Sequence, residues 1–199
     1  SRRNELLLPF FGGYPRLMHQ ELRMDLNPCV TCPDRAQAHV HQQTEVWFQD
    51  ISTRLQQLLG GTPYVVGAMA WFHDREVLQA MRACRGVSFV VTSEKGMGRY
   101  HQARFGVLPR LHEKDASAVR ILGRATGRRR ALMHHKFAVG LDAKKEPAWV
   151  LTGSYNPTVH SRGSLENVLV LRDPEVAATY YREYLRLYAK SRKAPATKA

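Results

Sequence analysis

The chain has 199 residues, of which 44% are apolar and 24% charged. That is one domain's worth of sequence, apolar enough for a packed core and too apolar for wholesale disorder. Thirty Lys and Arg against 17 Asp and Glu leave a formal charge of +13, which suits polyanions, nucleic acid before an anionic lipid surface, and disfavours a cationic partner. Three cysteines, Cys29, Cys32 and Cys84, exclude a disulfide-stapled framework, and their odd number fits a reducing intracellular compartment better than secretion.

Residues 1–42 read as an irregular N-terminal extension, punctuated by Pro9, Gly12, Gly13, Pro15, Pro28 and Pro33. The apolar run Leu6 to Phe11, broken by Pro9, is too short for a membrane span or a signal-peptide core. The sequence starts at Ser1, so a removed targeting or anchoring segment stays open. From Thr44 to Leu59, the residues Val46, Trp47, Ile51, Leu55, Leu58 and Leu59 recur at helical spacing and predict one amphipathic helix, ended by Gly60-Gly61. Tyr64 to Phe72 reads as a buried strand. Asp74 caps a helix running to about Cys84, with Val77, Leu78 and Met81 facing inward, and Val87 to Val91 is the next strand. This βαβ order implies parallel pairing.

Residues 93–117 read as loop with some helix. Val119 to Leu122 is a short strand and Gly123 to Arg130 a basic loop. Ala131 to Leu141, Ala148 to Thr152 and Asn167 to Leu171 are three further strands. Pro174 opens a last helix to about Lys190, and a basic tail follows from Ser191. No internal repeat is present. These elements compose an α/β domain over residues 43–190, with its sheet running from Tyr64 to Leu171.

The chemistry concentrates in Met133-His134-His135-Lys136-Phe137, then Gly153-Ser154-Tyr155-Asn156, then Glu166-Asn167. On an extended segment His134 and Lys136 share one face and His135 takes the other. Ser154 and Asn156 share a face in the same way. One nucleophile, one fixed cation and two neutral polar groups suit phosphoryl transfer, where catalysis is mostly positioning and charge neutralisation. The alternative for each element alone is a surface feature, and His135 reads as a packed or partner-bonded histidine.

The H-x-K and G-S-x-N blocks resemble the signature of the phospholipase D superfamily, over about residues 45–190. The likeness is to its short, one-motif members: bacterial endonucleases of the Nuc type and Zucchini-like mitochondrial nuclease/cardiolipin hydrolases. The resemblance implies a mixed, largely parallel sheet flanked by helices on both faces. It implies that His134 is the nucleophile forming a phosphohistidine, that Lys136 and Asn156 hold phosphate oxygens with Ser154 in support, and that Glu166 orients His134 and stabilises its charged form. The family places an Asp five residues after the Lys. Here that position is Leu141 and Asp142 follows, so a one-residue bulge would be needed to restore the Asp. Family chemistry uses two histidines across one phosphate. With one H-x-K block, the chain is expected to form a symmetric homodimer in which both copies of His134 meet; His73 or His160 are the intrachain substitutes. No metal is expected for the chemical step.

Cys29-x-x-Cys32 with His39-x-His41 composes a candidate structural zinc site of tetrahedral donors. Unliganded thiols with loop histidines, or a Cys29–Cys32 disulfide, are the other readings. Zucchini-like relatives carry a small zinc-binding element before the catalytic core. The motif does not choose between nucleic acid and lipid. Arg120, Arg124, Arg128, Arg129 and Arg130 precede the catalytic segment and are expected to line its approach, and Arg182, Arg186 and Lys190 form a helical stripe. Tyr100, Phe105 and Tyr155 are candidate stacking platforms for single strands. Nuclease is therefore the first reading. The alternatives are a phospholipase, with Leu6 to Phe11 and Tyr14 as an interfacial patch, and a non-catalytic nucleic-acid-binding relative.

Overall fold

The computed structural model describes residues 39–41, 43–93, 105–124 and 132–194. In chain order the elements are β1 (His39–His41), β2 (Thr44–Trp47), α1 (Ile51–Gly60), β3 (Tyr64–Met69), α2 (Arg75–Ala80), a short 3-10 turn, β4 (Gly86–Ser93), β5 (Val119–Arg124), β6 (Lys136–Leu141), β7 (Pro147–Gly153), a second 3-10 turn (His160–Gly163), β8 (Val168–Leu171), α3 (Pro174–Lys190) and β9 (Arg192–Lys193). The described strands form one sheet in the order β1-β2-β8-β7-β6-β3-β4-β5-β9.

Strand alternation sorts the core into two layers. On β3, Val65 and Met69 face one side and Val66 and Ala68 the other; on β4, Phe89 and Val91 oppose Val90. The first side packs on Leu55 and Leu59 of α1 and Val77 and Leu78 of α2. The second packs on Ala177, Tyr184 and Leu187 of α3. Helices thus cover both faces, as expected. The cap predicted from sequence is in place, Asp74 accepting from the N–H groups of Glu76 and Val77; Asp173, not singled out from sequence, caps α3 in the same way through Glu175 and Val176.

Three expectations are corrected. The sheet is mixed but mostly antiparallel. Only β3–β4 and β4–β5 pair in parallel; the other six junctions run antiparallel. The βαβ unit is real, but the second half of the chain returns through the tight β6–β7 hairpin, which can only join opposed strands. Thr44 to Trp47 is a strand, not the first turn of a helix. It pairs with β8, and the β-branched and aromatic residues there favour a pleated, half-buried surface over the helix that their spacing imitates. Asp50, with φ of 53°, turns the chain into α1. The sheet also extends beyond the expected domain limits, since β1 pairs with β2 and β9 with β5.

Among the described residues, no helix is long and apolar enough to cross a membrane. Cys84 is buried, its thiol held 3.2 Å from the Leu59 carbonyl and pushed up to about 11 by burial, so it is an inert packing residue.

The β6–β7 hairpin depends on one missing side chain. A Cβ on Gly140 would drive into the indole of Trp149, its cross-strand neighbour. Gly140→Val is therefore expected to destabilise the chain by at least about 1–3 kcal/mol through overpacking, read as a lower midpoint in urea denaturation; an unchanged midpoint would contradict the packing described.

Candidate active site

The end of β3, the approach to β6 and the exit from β7 lie side by side, because Met69 pairs with Lys136 and Phe137 with Thr152. Lys136 is the first residue of β6. The strand expected from Ala131 is shorter, and Leu132 to His135 lie outside any strand. They are still anchored: the His135 carbonyl accepts from the Ala70 N–H at 2.9 Å. His134 therefore projects just beyond the sheet, exposed.

His134 Nε2 lies 3.2 Å from Lys136 Nζ, whose ammonium also donates to the His134 carbonyl at 3.1 Å. An ammonium has only donors, so with Lys136 charged this contact is a hydrogen bond when Nε2 is the acceptor and the ring proton sits on Nδ1. Desolvation first, then the charges of Lys136 and His135, hold the His134 pKa below its ordinary 6.5. Desolvation also lowers Lys136, opposed by the charge of Glu166. His135 points to the other layer, 3.4 Å from Glu183 on α3, which fits its expected role as a partner-bonded histidine.

Gly153 ends β7 with φ of 158°, and a Cβ there would collide with the Asn167 carbonyl. That close approach lets the Ser154 N–H reach the same carbonyl at 3.1 Å, while the Asn167 N–H donates to Ser154 Oγ at 3.1 Å. The Ser154 hydroxyl then donates to Glu166. Asn156 Oδ1 accepts from the Trp71 N–H at 3.4 Å. All five residues of the predicted constellation are thus at one end of the sheet. One expected contact differs: Glu166 takes its hydrogen bond from Ser154 and acts on Lys136 through charge, rather than bonding to His134.

Two features were not singled out from sequence. The Trp71 ring meets His134 edge-on at 5.4 Å between centroids, and Lys136 Nζ is 5.8 Å from that ring. Buried Asp74, read only as a cap, is also ion-paired with Arg162 at 2.6 Å. A tryptophan at the end of a buried strand is an available signal for the first. No local pattern links residues 88 apart for the second.

Other expectations fall elsewhere. Asp142 sits at the far end of β6, its carboxylate capping the hairpin turn through the N–H groups of Lys144 and Glu146. The register irregularity is at Gly140/Leu141, where Leu141 pairs with Pro147 and Gly140 with Trp149, so the extra residue is Ala148 on β7. No bulge on β6 moves Asp142 toward the family position. Arg120 does not line the site: it is bound to Asp115 at 2.7 Å, to Ser191, and over the Tyr188 ring. Phe105 and Tyr155 are buried and cannot serve as stacking platforms. Arg186 is held by both oxygens of Glu183 at 2.6 Å. His160 lies exposed on the 160–163 turn, and His73 on the loop after β3. Cys29, Cys32, Tyr100, Arg128, Arg129 and Arg130 lie outside the described residues, as do the side chains of His39, His41 and Arg124. Among the described residues no group of three or more His, Cys, Asp or Glu is placed to hold a metal.

The family profile "Cardiolipin synthase, PLD-like domain" matches residues 55–188, which include every residue of this site. The chain belongs to the phospholipase D superfamily. Members of this superfamily are phosphodiester hydrolases and transferases. NucT from Helicobacter pylori superposes with a TM-score of 0.56 at 16% identity, covering 76% of this chain and 98% of that one. The phospholipase D family member Nuc from Salmonella typhimurium gives 0.55 at 15% identity, covering 75% and 96%. These likenesses show the fold. In sequence, the chain is 24% identical over 183 residues to the uncharacterized protein L381 of Acanthamoeba polyphaga mimivirus, and the match spans 73% of this chain and 65% of that relative.

The electrostatics of this phospholipase D-like site are testable without a substrate. Removing the neighbouring cation by Lys136→Met is expected to raise the His134 pKa toward its ordinary value, followed by NMR titration of the imidazole; a fall or no change would refute the contact.

Proposed function

We propose that the chain is a metal-independent phosphodiesterase, an endonuclease cleaving DNA or RNA with low sequence specificity through a phosphohistidine. The observation that carries this reading is the exposed His134 imidazole with its Nε2 3.2 Å from Lys136 Nζ. A phosphate oxygen entering beside them would take the Lys136 hydrogen bond and free the Nε2 lone pair. His134 Nε2 then attacks phosphorus, and the bond from phosphorus to the leaving oxygen breaks. The leaving oxygen takes its proton from His134 of the partner subunit. In the second half, water loses a proton to that same partner histidine and attacks phosphorus, and the N–P bond breaks. Asn156 has its Oδ1 engaged by Trp71, which leaves its NH₂ to donate to phosphate. Ser154 and Glu166 act as a pair, the carboxylate balancing the charge of Lys136. The side chains thus supply both nucleophile and fixed cation, so the reaction has no step that calls for a metal.

The dimer follows from the need for a second proton-handling group in a chain with one H-x-K block. Leu132, Val159 and Leu165, exposed and adjacent in sequence to the site residues, provide an apolar rim for the partner. The charge of +13 supports nucleic acid, with Arg124, Arg128, Arg129 and Arg130 lining the approach. Cys29, Cys32, His39 and His41 are proposed to hold a structural zinc with no part in this chemistry.

A second reading, a phospholipase or cardiolipin hydrolase, is favoured by one observation. A cleft of about 540 Å³ beside His134 has Leu122, Leu132, Met133 and Leu187 in its walls and Arg186 and Lys190 at its edge, a shape and polarity that an acylated phosphodiester would fit.

Labelled DNA, RNA and cardiolipin vesicles incubated in EDTA decide among these. Nucleic-acid cleavage is expected to persist in EDTA, to fall to background in His134→Ala, and to follow a bell-shaped pH profile displaced to the acidic side, because one His134 must be neutral to attack while that of the partner subunit must be protonated to serve the leaving oxygen. Lipid turnover alone would select the second reading, and cleavage equal in His134→Ala would refute both. At constant total protein, wild type exchanged with an equal amount of His134→Ala is expected to show about one quarter of the activity of wild type alone if each site needs two intact subunits, and about one half if monomers act alone.

A further inference from the structure

We infer that the Asp74–Arg162 ion pair is a clamp that positions Asn156 and Trp71 against His134; the inference rests on reading these residues as a phosphodiesterase site. Asn156 and Glu166 lie on the connection between β7 and β8, whose regular structure is the single 3-10 turn His160–Gly163. Its ends are fixed to the sheet through Ser154 and Asn167. Its middle is fixed by the loop after β3. Arg162 Nη2 is 2.6 Å from Asp74 Oδ1 and Nε is 2.9 Å from Oδ2, while Nη1 reaches Glu76 at 3.1 Å. Asp74 is fully buried, and its carboxylate is itself immobilised by the N–H groups of Glu76 and Val77 and by the Ser52 hydroxyl at 2.9 Å. It is a fixed post shared by α1 and α2.

The same two segments meet again beside the post. The N–H groups of His73 and Asp74 both donate to the Pro157 carbonyl, at 2.6 and 2.8 Å. One residue before Pro157, Asn156 takes the Trp71 N–H; two residues before His73, Trp71 lays its ring against His134. The fork of the guanidinium fixes two distances and an angle at once, which a lysine ammonium cannot do. Loss of the fork leaves the 157–166 segment tied to the 71–74 loop only near Asn156 and Pro157, so that it can shift. Asn156 then loses its place at the phosphate and Trp71 its place at the imidazole. Arg162 touches no reacting atom, so it is a positioning residue.

The test uses the full chain carrying Arg162→Lys, or the double substitution Asp74→Asn/Arg162→Gln, which strands no buried charge. Three quantities are read: thermal midpoint, kcat and KM on the small diester bis(p-nitrophenyl) phosphate, and the NMR titration of His134. Arg162→Lys is expected to lower kcat by about 10²-fold, the effect of an ångström-scale misplacement, and to move the His134 pKa up as the Trp71 ring withdraws. The double variant is expected to recover thermal stability relative to Arg162→Gln but neither kcat nor the His134 titration. Recovery of both together with stability, or wild-type values of both in Arg162→Lys, would show a merely structural ion pair and overturn the inference. If the wild type cleaves no diester at all, the functional reading fails separately. The clamp is then judged by the His134 titration and by inorganic phosphate binding, and unchanged values in both variants would overturn it.

Discussion

An imidazole held 3.2 Å from an ammonium is disfavoured from taking a proton of its own, and the ordinary proton affinity of the lysine is the higher of the two by about four units. Much of the local architecture serves to keep this pair together. Lys136 is locked as the first rung of β6, paired with Met69, and its carbonyl takes the Thr152 hydroxyl. His134 is held two residues upstream by the backbone bond from Ala70 to His135. The Trp71 ring closes one side of the imidazole. The imidazole and the ammonium are therefore built from one short segment, and the sheet sets their separation.

The second half of the site reaches that pair because β6 and β7 form a hairpin. Opposed strands carry residues distant from the turn to one shared end, so the segment before Lys136 and the segment after Thr152 meet at the point farthest from the turn. Gly153 then permits the backbone of β7 to crowd that of Asn167, and the hydroxyl of Ser154 is handed to Glu166. A parallel arrangement of these two strands would need a crossover connection and would separate the two blocks in space.

This distinction marks what sequence could and could not provide. The residues of the site were legible because motif spacing maps onto alternating faces. The βαβ unit, the Asp74 cap and the last helix were legible because their signals are local. The sense of the strands was not, since an apolar run such as Phe137 to Leu141 reads alike in either direction. Thr44 to Trp47 misled because Val46 and Trp47 fall in helical spacing with Ile51 and Leu55, and only the pairing with β8 decides. Arg120 looked like a substrate ligand by its neighbourhood in sequence, yet it is consumed by Asp115 and Ser191. The Asp74–Arg162 pair was invisible for the opposite reason: its partners are far apart in the chain and each looks ordinary alone.

The turn at Asp142 bears on how such a domain can change. Six residues of strand, roughly 20 Å at about 3.3 Å each, separate it from Lys136, and its carboxylate does no more than cap a tight reversal. Evolution is free to lengthen, decorate or replace that tip, or to graft a recognition module there, while the reactive end stays untouched.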